Sequence, residues 1–411
     1  MVLNYIWIGF FVIAFIVAII RFAVTGDAEI FKTVIDSTFA SSRSAVMNIA
    51  LPLTGVMVLW LGLMNIGERA GAVSFLARIV GPFFQRLFPE LPKKSPVFGQ
   101  MFMNFSANML GLDNAATPLG LKAMQGLQEE NKNKDTASNA QIMFLAINTS
   151  GLTIIPVSIL AQRAILGAAN PTDIFIPVLI ATAISTLVGI ITVAIWQRIN
   201  LFDKVLMLWI GGIIAGISAL TWWMTSLEKE QIELVSKVGS NLLLILIIGT
   251  FIVGAAVRKV NVYEAFIDGA KSGFEVTIKI IPYLVAMLVG IAVFRASGAM
   301  DFVIGGLTWL FSAAGLDTDF VAALPTAIMK PMSGSGARAM MIETMQNYGP
   351  DSFVGRLSCL FQGATDTTFY IIALYFGSVG IRKTRYAVTA GLITDLAGII
   401  AAIVLAYVFF G

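Results

Sequence analysis

The sequence predicts an all-α polytopic membrane protein with two inverted-topology repeats, each containing a re-entrant helical hairpin and a broken transmembrane helix. Three observations predict this fold: an apolar composition, a series of long uncharged segments, and a faint internal repeat with matching polar interruptions. Apolar residues make up 57% of the 411 residues and charged residues only 12%. The mean hydropathy is +0.85. Because a soluble domain carries roughly 25% charged residues, this composition indicates an integral membrane protein.

The apolar residues are gathered into segments long enough to cross a bilayer, which takes about 20 residues. Six of these segments carry no charge, namely Leu3–Ile20, Val46–Ile66, Thr136–Gln162, Ile174–Gln197, Val205–Leu227 and Val238–Val257. Three more complete the set: the shorter Ile280–Phe294, and Leu357–Val379 and Tyr386–Gly411, which each enclose one aspartate. The first segment has neither the basic start nor the small-residue cleavage site of a signal peptide, so we expect a retained helix. The sequence therefore predicts nine membrane-spanning segments.

Composition also excludes several kinds of chemistry. The chain has no histidine and a single cysteine, Cys359, so it holds no internal disulfide and no Ser–His or Cys–His nucleophile pair. The SGSG stretch at 333–336 lacks the Lys-Ser/Thr ending of a phosphate-binding loop. No basic cluster suggests a nucleic-acid partner. We therefore expect no enzyme activity and no resident cofactor.

An internal repeat divides the chain. Short identities follow one another in the same order, with an offset that falls steadily from 232 to 209. They pair Ile35-Asp36 with Ile267-Asp268, Gly71-Ala72 with Gly298-Ala299, Met124-Gln125 with Met345-Gln346, Thr149 with Thr365, and Gly189-Ile190-Ile191 with Gly398-Ile399-Ile400. We therefore predict a first repeat at 1–202, connecting transmembrane helices at 203–260 and a second repeat at 261–411.

Charge placement predicts how the repeats are oriented. Loops rich in Lys and Arg tend to stay cytoplasmic. The region between residues 69 and 134 holds eight basic residues, whereas its counterpart between Arg295 and Asp351 holds three against five acids. We therefore place the first region in the cytoplasm and the second outside. With nine membrane-spanning segments, we expect a cytoplasmic N-terminus, an external C-terminus and two inverted copies.

Each copy has a polar interruption that is too short to span. The first reads NMLGLDNAATPLG at 108–120, and a polar loop between two helices is the simplest alternative. We interpret Val97–Gln128 as two half-helices that meet at Gly111–Thr117, the second led by Pro118, because proline suits the first turn of a helix. The second reads KPMSGSGA at Lys330–Ala337, where two serines can cap the following half-helix. Irregular backbone at membrane depth is tolerated only where protein or a wet cavity surrounds it.

The helices that follow are also interrupted, by INTSGLT at Ile147–Thr153 and by GATDTT at Gly363–Thr368. Discontinuous helices in inverted repeats point to a substrate site near the membrane midplane. The residues that we expect to contact a solute or ion are Asn108, Asp113, Asn114, Thr117, Asn148, Thr149, Ser150, Lys330, Ser333, Ser335, Thr365, Asp366 and Thr367.

The charged residues among these have structural alternatives. Asp366 can bind a coupling ion or the solute, or simply neutralise Lys330, since an intramembrane carboxylate is costly unless it is paired or wet. Asp113 can cap a half-helix or coordinate Na⁺. Lys330 can bind an anionic group instead of Asp366. Asp395, in the last predicted helix, fits a helix-packing hydrogen bond slightly better than a functional role.

At these interruptions the chain resembles a known family. Residues 102–125, 144–163 and 170–182, which include NMLGLDNAATPLG and INTSGLT, are similar to the spore maturation A proteins. Residues 269–301, 330–340 and 348–387, which include KPMSGSGA and GATDTT, are similar to the spore maturation B proteins. Both groups belong to the nucleoside recognition, or Gate, domain family. The resemblance implies a fused chain in a bacterial cytoplasmic (inner) membrane, with an architecture similar to concentrative nucleoside transporters.

These observations favour a secondary transporter that moves a small polar solute across the bilayer and can be coupled to Na⁺ or H⁺. The alternative is a channel or a non-transporting scaffold that supports envelope or spore physiology. An intramembrane enzyme is disfavoured because no nucleophile–base pair is available. The expected partners are the solute, the lipid bilayer and, as an option, further copies of the chain in a homo-oligomer.

Overall fold

The computed structural model describes residues 2–92, 95–110, 113–151, 153–226 and 229–411, and it is all-helical, as predicted. The helices of the first half are α1 (Val2–Thr25), α2 (Glu29–Ser44), α3 (Leu51–Arg69), α4 (Ala72–Leu87), α5 (Val97–Met109), α6 (Asp113–Glu130), α7 (Asn139–Ser150), α8 (Val157–Ile165) and α9 (Phe175–Trp196). They are followed by α10 (Lys204–Thr225), α11 (Lys229–Val257), α12 (Val262–Ala296), α13 (Ala299–Ala313), α14 (Leu324–Met329), α15 (Gly334–Tyr348), α16 (Phe353–Ala364), α17 (Thr368–Ser378) and α18 (Ala387–Phe410).

Several of these helices can cross a membrane. Within the described ranges, four segments are long and apolar enough: Trp7–Thr25, Glu29–Arg69, Phe175–Trp196 and Ala387–Phe410. A fifth is possible if α12 and α13, bent by 74° at their junction, form one span. The protein is therefore a multi-pass membrane protein. Nine membrane spans remain a prediction. Each half of a broken helix is too short to span a bilayer alone, and the apolar stretches described in α10 and α11 are the shorter Lys204–Leu220 and Leu244–Val257.

Glycines allow the longest helices to pack closely. A Cβ atom on Gly269 of α12 would lie 2.3 Å from the carbonyl oxygen of Leu61 in α3, and one on Gly273 would lie 2.7 Å from that of Met57. Between the two halves, a Cβ on Gly189 of α9 would lie 2.6 Å from Thr394 Oγ1 of α18. Small residues bring helix backbones together in membranes, where hydrophobic driving force between helices is absent. These contacts hold α3 against α12 and α9 against α18.

The four interrupted segments form two helical hairpins and two broken helices. The first hairpin is α5–α6 and the second is α14–α15; the first broken helix is α7–α8 and the second is α16–α17. One predicted boundary is wrong, because α6 begins at Asp113 and not at Pro118. Pro118 thus lies inside the helix, where it cannot donate a hydrogen bond to the carbonyl four residues earlier. Asn114 and Thr117 belong to the start of α6, whereas Gly111 and Leu112 lie outside the described residues.

Two groups of charged residues join the halves at opposite ends. Arg163, whose side chain is fully buried, donates to Asp173 (2.8 Å) and to Asp351 (3.0 Å), and Arg356 donates to Asp173 (2.8 Å). At the other end, the Asp135 carbonyl accepts from the Lys383 amide, and the two side chains pair at 3.2 Å. Hydrogen bonds from Thr136 and Lys383 lower the pKa of Asp135.

Candidate functional site

The two broken helices meet where both are unwound. The backbone N–H of Asp366 donates to the carbonyl oxygen of Thr149 at 2.7 Å. Gly151 ends α7 in the left-handed conformation (φ +58°), and a Cβ there would lie 2.9 Å from the Asp366 nitrogen. Only glycine meets both requirements without strain. We call this contact the crossing.

Each hairpin is held to a broken helix by one backbone hydrogen bond. In the first half, the Ile154 N–H donates to the Met109 carbonyl at 2.6 Å; in the second, the Phe369 N–H donates to the Pro331 carbonyl at 3.0 Å. The first hairpin also reaches the broken helix through a side chain, because Asn108 Nδ2 donates to Asn148 Oδ1 at 2.9 Å. Both hairpin tips therefore lie beside the crossing.

Two cavities flank the crossing. The Lys330 cavity has a volume of about 140 Å³ and is lined by polar groups from both hairpins and both broken helices. The Tyr375 cavity, of about 200 Å³, lies between α6, α7 and α17. Asn108 and Asp366 line both cavities. The Asp366 side chain is exposed within them, because it projects from the unwound segment between α16 and α17.

The first break is supported by hydroxyl groups of α9. Thr186 Oγ1 donates to Ser150 Oγ at 2.9 Å, and Thr182 Oγ1 donates to the Gly151 carbonyl at 3.0 Å. Thr182 and Thr186 are both buried. Because every partner is neutral, this part of the site is a rigid hydrogen-bonded support without charge.

The second break is supported by a buried carboxylate of α18. Asp395 Oδ2 accepts from Thr368 Oγ1 at 2.6 Å, and its other oxygen has no hydrogen-bond partner among the described residues. Asp395 therefore makes the predicted packing hydrogen bond. Lys330 is buried as well, and it lines the adjacent cavity. A carboxyl group thus supports this break where hydroxyl groups support the first.

The predicted site residues fall into three sets. Those that line a cavity are Asn108, Thr117, Asn148, Lys330, Thr365 and Asp366. A second set packs behind the residues that line the cavities, namely Thr149, Ser150, Ser333, Ser335 and Thr367. The side chains of Asp113 and Asn114 lie outside the described part of the chain.

The serines of the second hairpin have unequal roles. Ser333 is the N-cap of α15 and accepts from the Gly336 N–H at 3.0 Å. Ser335 does not cap the helix; its hydroxyl lies 3.3 Å from that of Ser333. The prediction that two serines cap the half-helix is therefore wrong for Ser335, because the helix already begins at Gly334.

Sequence reasoning missed three polar residues of the cavities. Arg338 and Gln362 line the Lys330 cavity, and the Tyr375 hydroxyl donates to Asn148 Oδ1 at 3.5 Å in the other. Gln362 is buried, and its Oε1 atom has no hydrogen-bond partner among the described residues. Arg338 follows the SGSG stretch by two residues, at a spacing that places it on the first turns of α15.

The described residues contain no group of three Cys, Asp or Glu side chains placed to hold a metal ion. Na⁺ binding by carbonyl and hydroxyl oxygens near Asp366 needs no such group. It therefore stays a prediction.

The fold and the cavities define the class of protein as a polytopic helical membrane protein with a polar centre built from two hairpins and two broken helices. The family model Gate, described as nucleoside recognition, matches residues 50–166 and 277–382, which is more than half of the chain. The chain therefore belongs to the Gate family. The matched residues include both hairpins and both broken helices.

Two relatives from Bacillus subtilis (strain 168) resemble parts of the chain. Spore maturation protein B is 44% identical over 179 residues, which cover 44% of this chain and 98% of the relative. Spore maturation protein A is 38% identical over 188 residues, which cover 46% of this chain and 92% of the relative. The chain is thus consistent with a fusion of two such proteins. No solved structure matches it significantly.

Proposed function

We propose that the protein is a secondary transporter for a small polar solute and that the solute binds at the crossing. The observation that carries this proposal is that one cavity on each side of the crossing is lined by the same two side chains, Asn108 and Asp366. A transporter needs a central site that can open to either side of the membrane in turn. The two cavities provide the space for such a path, and the crossing lies between them.

We further propose that the molecule is built from two inverted repeats with re-entrant hairpins, with a cytoplasmic N-terminus and an external C-terminus. The order of elements supports this interpretation. In each half a left-handed glycine, Gly71 (φ +82°) or Gly298 (φ +89°), precedes a helix, and then a hairpin, a broken helix and a long helix follow. In this orientation the Lys383 end of the molecule is cytoplasmic and the Arg163 end is external.

Charged groups line the Lys330 cavity and favour a solute that carries charged or strongly polar groups. Lys330, Arg338 and the carboxylate of Asp366 all line it. Asp366 is the candidate for a coupling cation, Na⁺ or H⁺, because it is an exposed carboxylate at a helix break that carries backbone carbonyls. Gln362 lines the same cavity and adds a neutral polar side chain to it.

A binding screen followed by uptake tests the proposal. The purified protein is heated with nucleosides, amino acids, organic acids and salts, since a ligand raises stability by RT ln(1 + [L]/Kd). Compounds that stabilise are then offered to proteoliposomes under Na⁺ and H⁺ gradients. We expect gradient-dependent uptake that Asp366→Asn lowers and Asp301→Asn, which alters an exposed carboxylate on α13, does not.

The outcomes separate the candidate functions. Uptake without any gradient dependence indicates a channel. A stabilising ligand that is never taken up, in a protein that is well folded in the liposomes, contradicts transport and leaves a binding or scaffold role, as the relatives' names allow.

A further inference from the structure

A large apolar groove lies away from the crossing, between α4 and α11. It has a volume of about 590 Å³, and its walls include Phe75 of α4 with Leu246 and Thr250 of α11. Its floor is made of buried residues, among them Phe251, Leu110 and Ile155. Phe75 and Leu246 are well exposed along the rim, so the groove opens toward the lipid.

One positively charged side chain, that of Arg258, lines this groove at one end. Arg258, one residue beyond the end of α11, lines the groove, and its guanidinium lies against Gly71, where a Cβ would approach Arg258 Nη1 to 2.0 Å. The neighbouring Arg69 is paired with Asp268 at 2.7 Å, whereas no carboxylate among the described residues pairs with Arg258. The groove therefore combines apolar walls with an uncompensated positive charge at its mouth.

The length of the groove matches one leaflet of a bilayer. Leu246 and Arg258 both line it and lie twelve residues apart, which corresponds to about 18 Å along a helix. Half of the hydrocarbon core is about 15 Å. The inner end lies at Leu110 and Ile155, beside the first hairpin tip and the first helix break. An acyl chain whose headgroup lay at Arg258 would thus reach the level of the crossing.

We infer that this groove is a binding site for an anionic phospholipid, with its phosphate at Arg258 and one acyl chain between α4 and α11. Basic pockets at the ends of transmembrane helices select anionic lipids by charge, and the apolar walls exclude a free phosphate ion as the natural occupant. The site is separate from the proposed solute site, although Ile155 lines both the groove and the Lys330 cavity. Lipid occupancy would support the broken segment of α7–α8 from behind.

Two matched pairs of variants test the site in the full-length protein in detergent. Arg258→Gln removes the cation, and Lys259→Gln removes the adjacent exposed one, which does not line the groove. Thr250→Trp fills the groove, and Ile252→Trp adds the same bulk to a face of α11 outside it. Thermal unfolding is followed during titration with phosphatidylglycerol, phosphatidylcholine or inorganic phosphate.

We expect phosphatidylglycerol to stabilise the parent at lower concentration than phosphatidylcholine, and inorganic phosphate to have no effect. Arg258→Gln should weaken the apparent phosphatidylglycerol affinity about ten-fold, as expected for one charged hydrogen bond, and Lys259→Gln should leave it unchanged. Thr250→Trp should abolish stabilisation by either lipid, and Ile252→Trp should not. Equal stabilisation by both lipids, an unchanged Arg258→Gln titration, or the same stabilisation by inorganic phosphate would overturn the inference. If Thr250→Trp does not fold, the Arg258→Gln and Lys259→Gln pair decides alone.

Discussion

The two helix breaks occupy corresponding places in the two halves but differ in their chemistry. The first, at the end of α7, is surrounded by amides and hydroxyls: Asn108 donates to Asn148, and Thr186 donates to Ser150. The second, between α16 and α17, has the carboxylate of Asp366 in the break itself. It rests on a second carboxylate, Asp395, through Thr368. Both breaks line the cavities, but the first contributes only neutral groups and the second contributes an exposed carboxylate.

The internal repeat aligns the residues that support the two breaks. When Gly189 is paired with Gly398, Thr186 of α9 occupies the place of Asp395 of α18. Thr186 and Asp395 have corresponding roles, because each forms a hydrogen bond to the broken helix of its own half. The first half therefore provides a rigid support, and the second half provides the charge that a polar solute or a cation can use.

The largest effect is expected from disrupting the crossing, the backbone contact that the two halves form together. Gly151→Val places a β-branched residue in the left-handed region and its Cβ 2.9 Å from the Asp366 nitrogen. Strain and overpacking together should cost about 3 kcal/mol or more. Chemical denaturation in micelles measures this loss. Gly167→Val is the control, because Gly167 has the same backbone conformation (φ +79°) with open space around it, and it should cost clearly less. Equal losses would show that the crossing is not a tight contact.

Removing the charge of the second break should affect function more than stability. Asp366→Asn keeps the shape of the side chain and should fold, yet lose ten-fold or more of cation-dependent uptake, as expected for a charged hydrogen bond. The alternative is that Asp366 only neutralises Lys330. In that case the single change destabilises the protein, and adding Lys330→Met restores stability and activity together. A variant as stable and active as the parent would refute both roles.

Removing an amide of the first break should have a moderate effect on stability. Asn148→Ala deletes the acceptor of Asn108 and the donor to the Phe144 carbonyl. Because these groups are partly or fully buried, we expect a loss of about 1–2 kcal/mol in the free energy of unfolding. Asn48→Ala removes a longer hydrogen bond, 3.4 Å from Asn48 Nδ2 to Ser44 Oγ, at an exposed position, and it should cost about 0.5 kcal/mol or less.

The smallest stability effects are expected at the hairpin tips. Asn114→Ala and Ser335→Ala each remove a polar group near a hairpin tip, and Ser335 is not the cap of α15. We expect the free energy of unfolding to change by about 0.5 kcal/mol or less in each variant. Ligand affinity should nevertheless fall in both variants if the hairpins share one site. Isothermal titration with a stabilising ligand measures this. Normal affinity in either variant would remove that hairpin from the site.

Much of the fold could be predicted from the sequence because long apolar runs without charges identify membrane helices. Uncharged runs such as 174–197 indicated α9 closely, and the breaks at Ile147–Thr153 and Gly363–Thr368 contain the ends of α7 and α16. Glycine, proline and clustered hydroxyl groups interrupt apolar helices for local reasons, so they can be read locally. The start of α6 was wrong by five residues because a helix can continue past a proline when neighbouring groups compensate for the lost bond.

The partners of the site residues could not be predicted in the same way. The role of Asp395 depends on Thr368, 27 residues away in the chain, and the buried Arg163 meets Asp351, which is 188 residues away. Gln362 carries no local signal, because a single glutamine in an apolar helix is as consistent with packing as with a cavity. Such contacts are set by how distant helices pack against one another, which sequence periodicity does not encode.

The central claim is that both halves contribute to one solute site, and a double-mutant cycle on binding tests it most directly. Asn108 of the first half and Asp366 of the second line both cavities. The Kd of one stabilising ligand is measured for the parent, Asn108→Ala, Asp366→Asn and the double variant. We predict weaker binding in each single variant and a coupling energy of about 0.5 kcal/mol or more, as found for residues that share a partner. Additive effects, or binding that depends on only one of the two residues, would contradict a shared site.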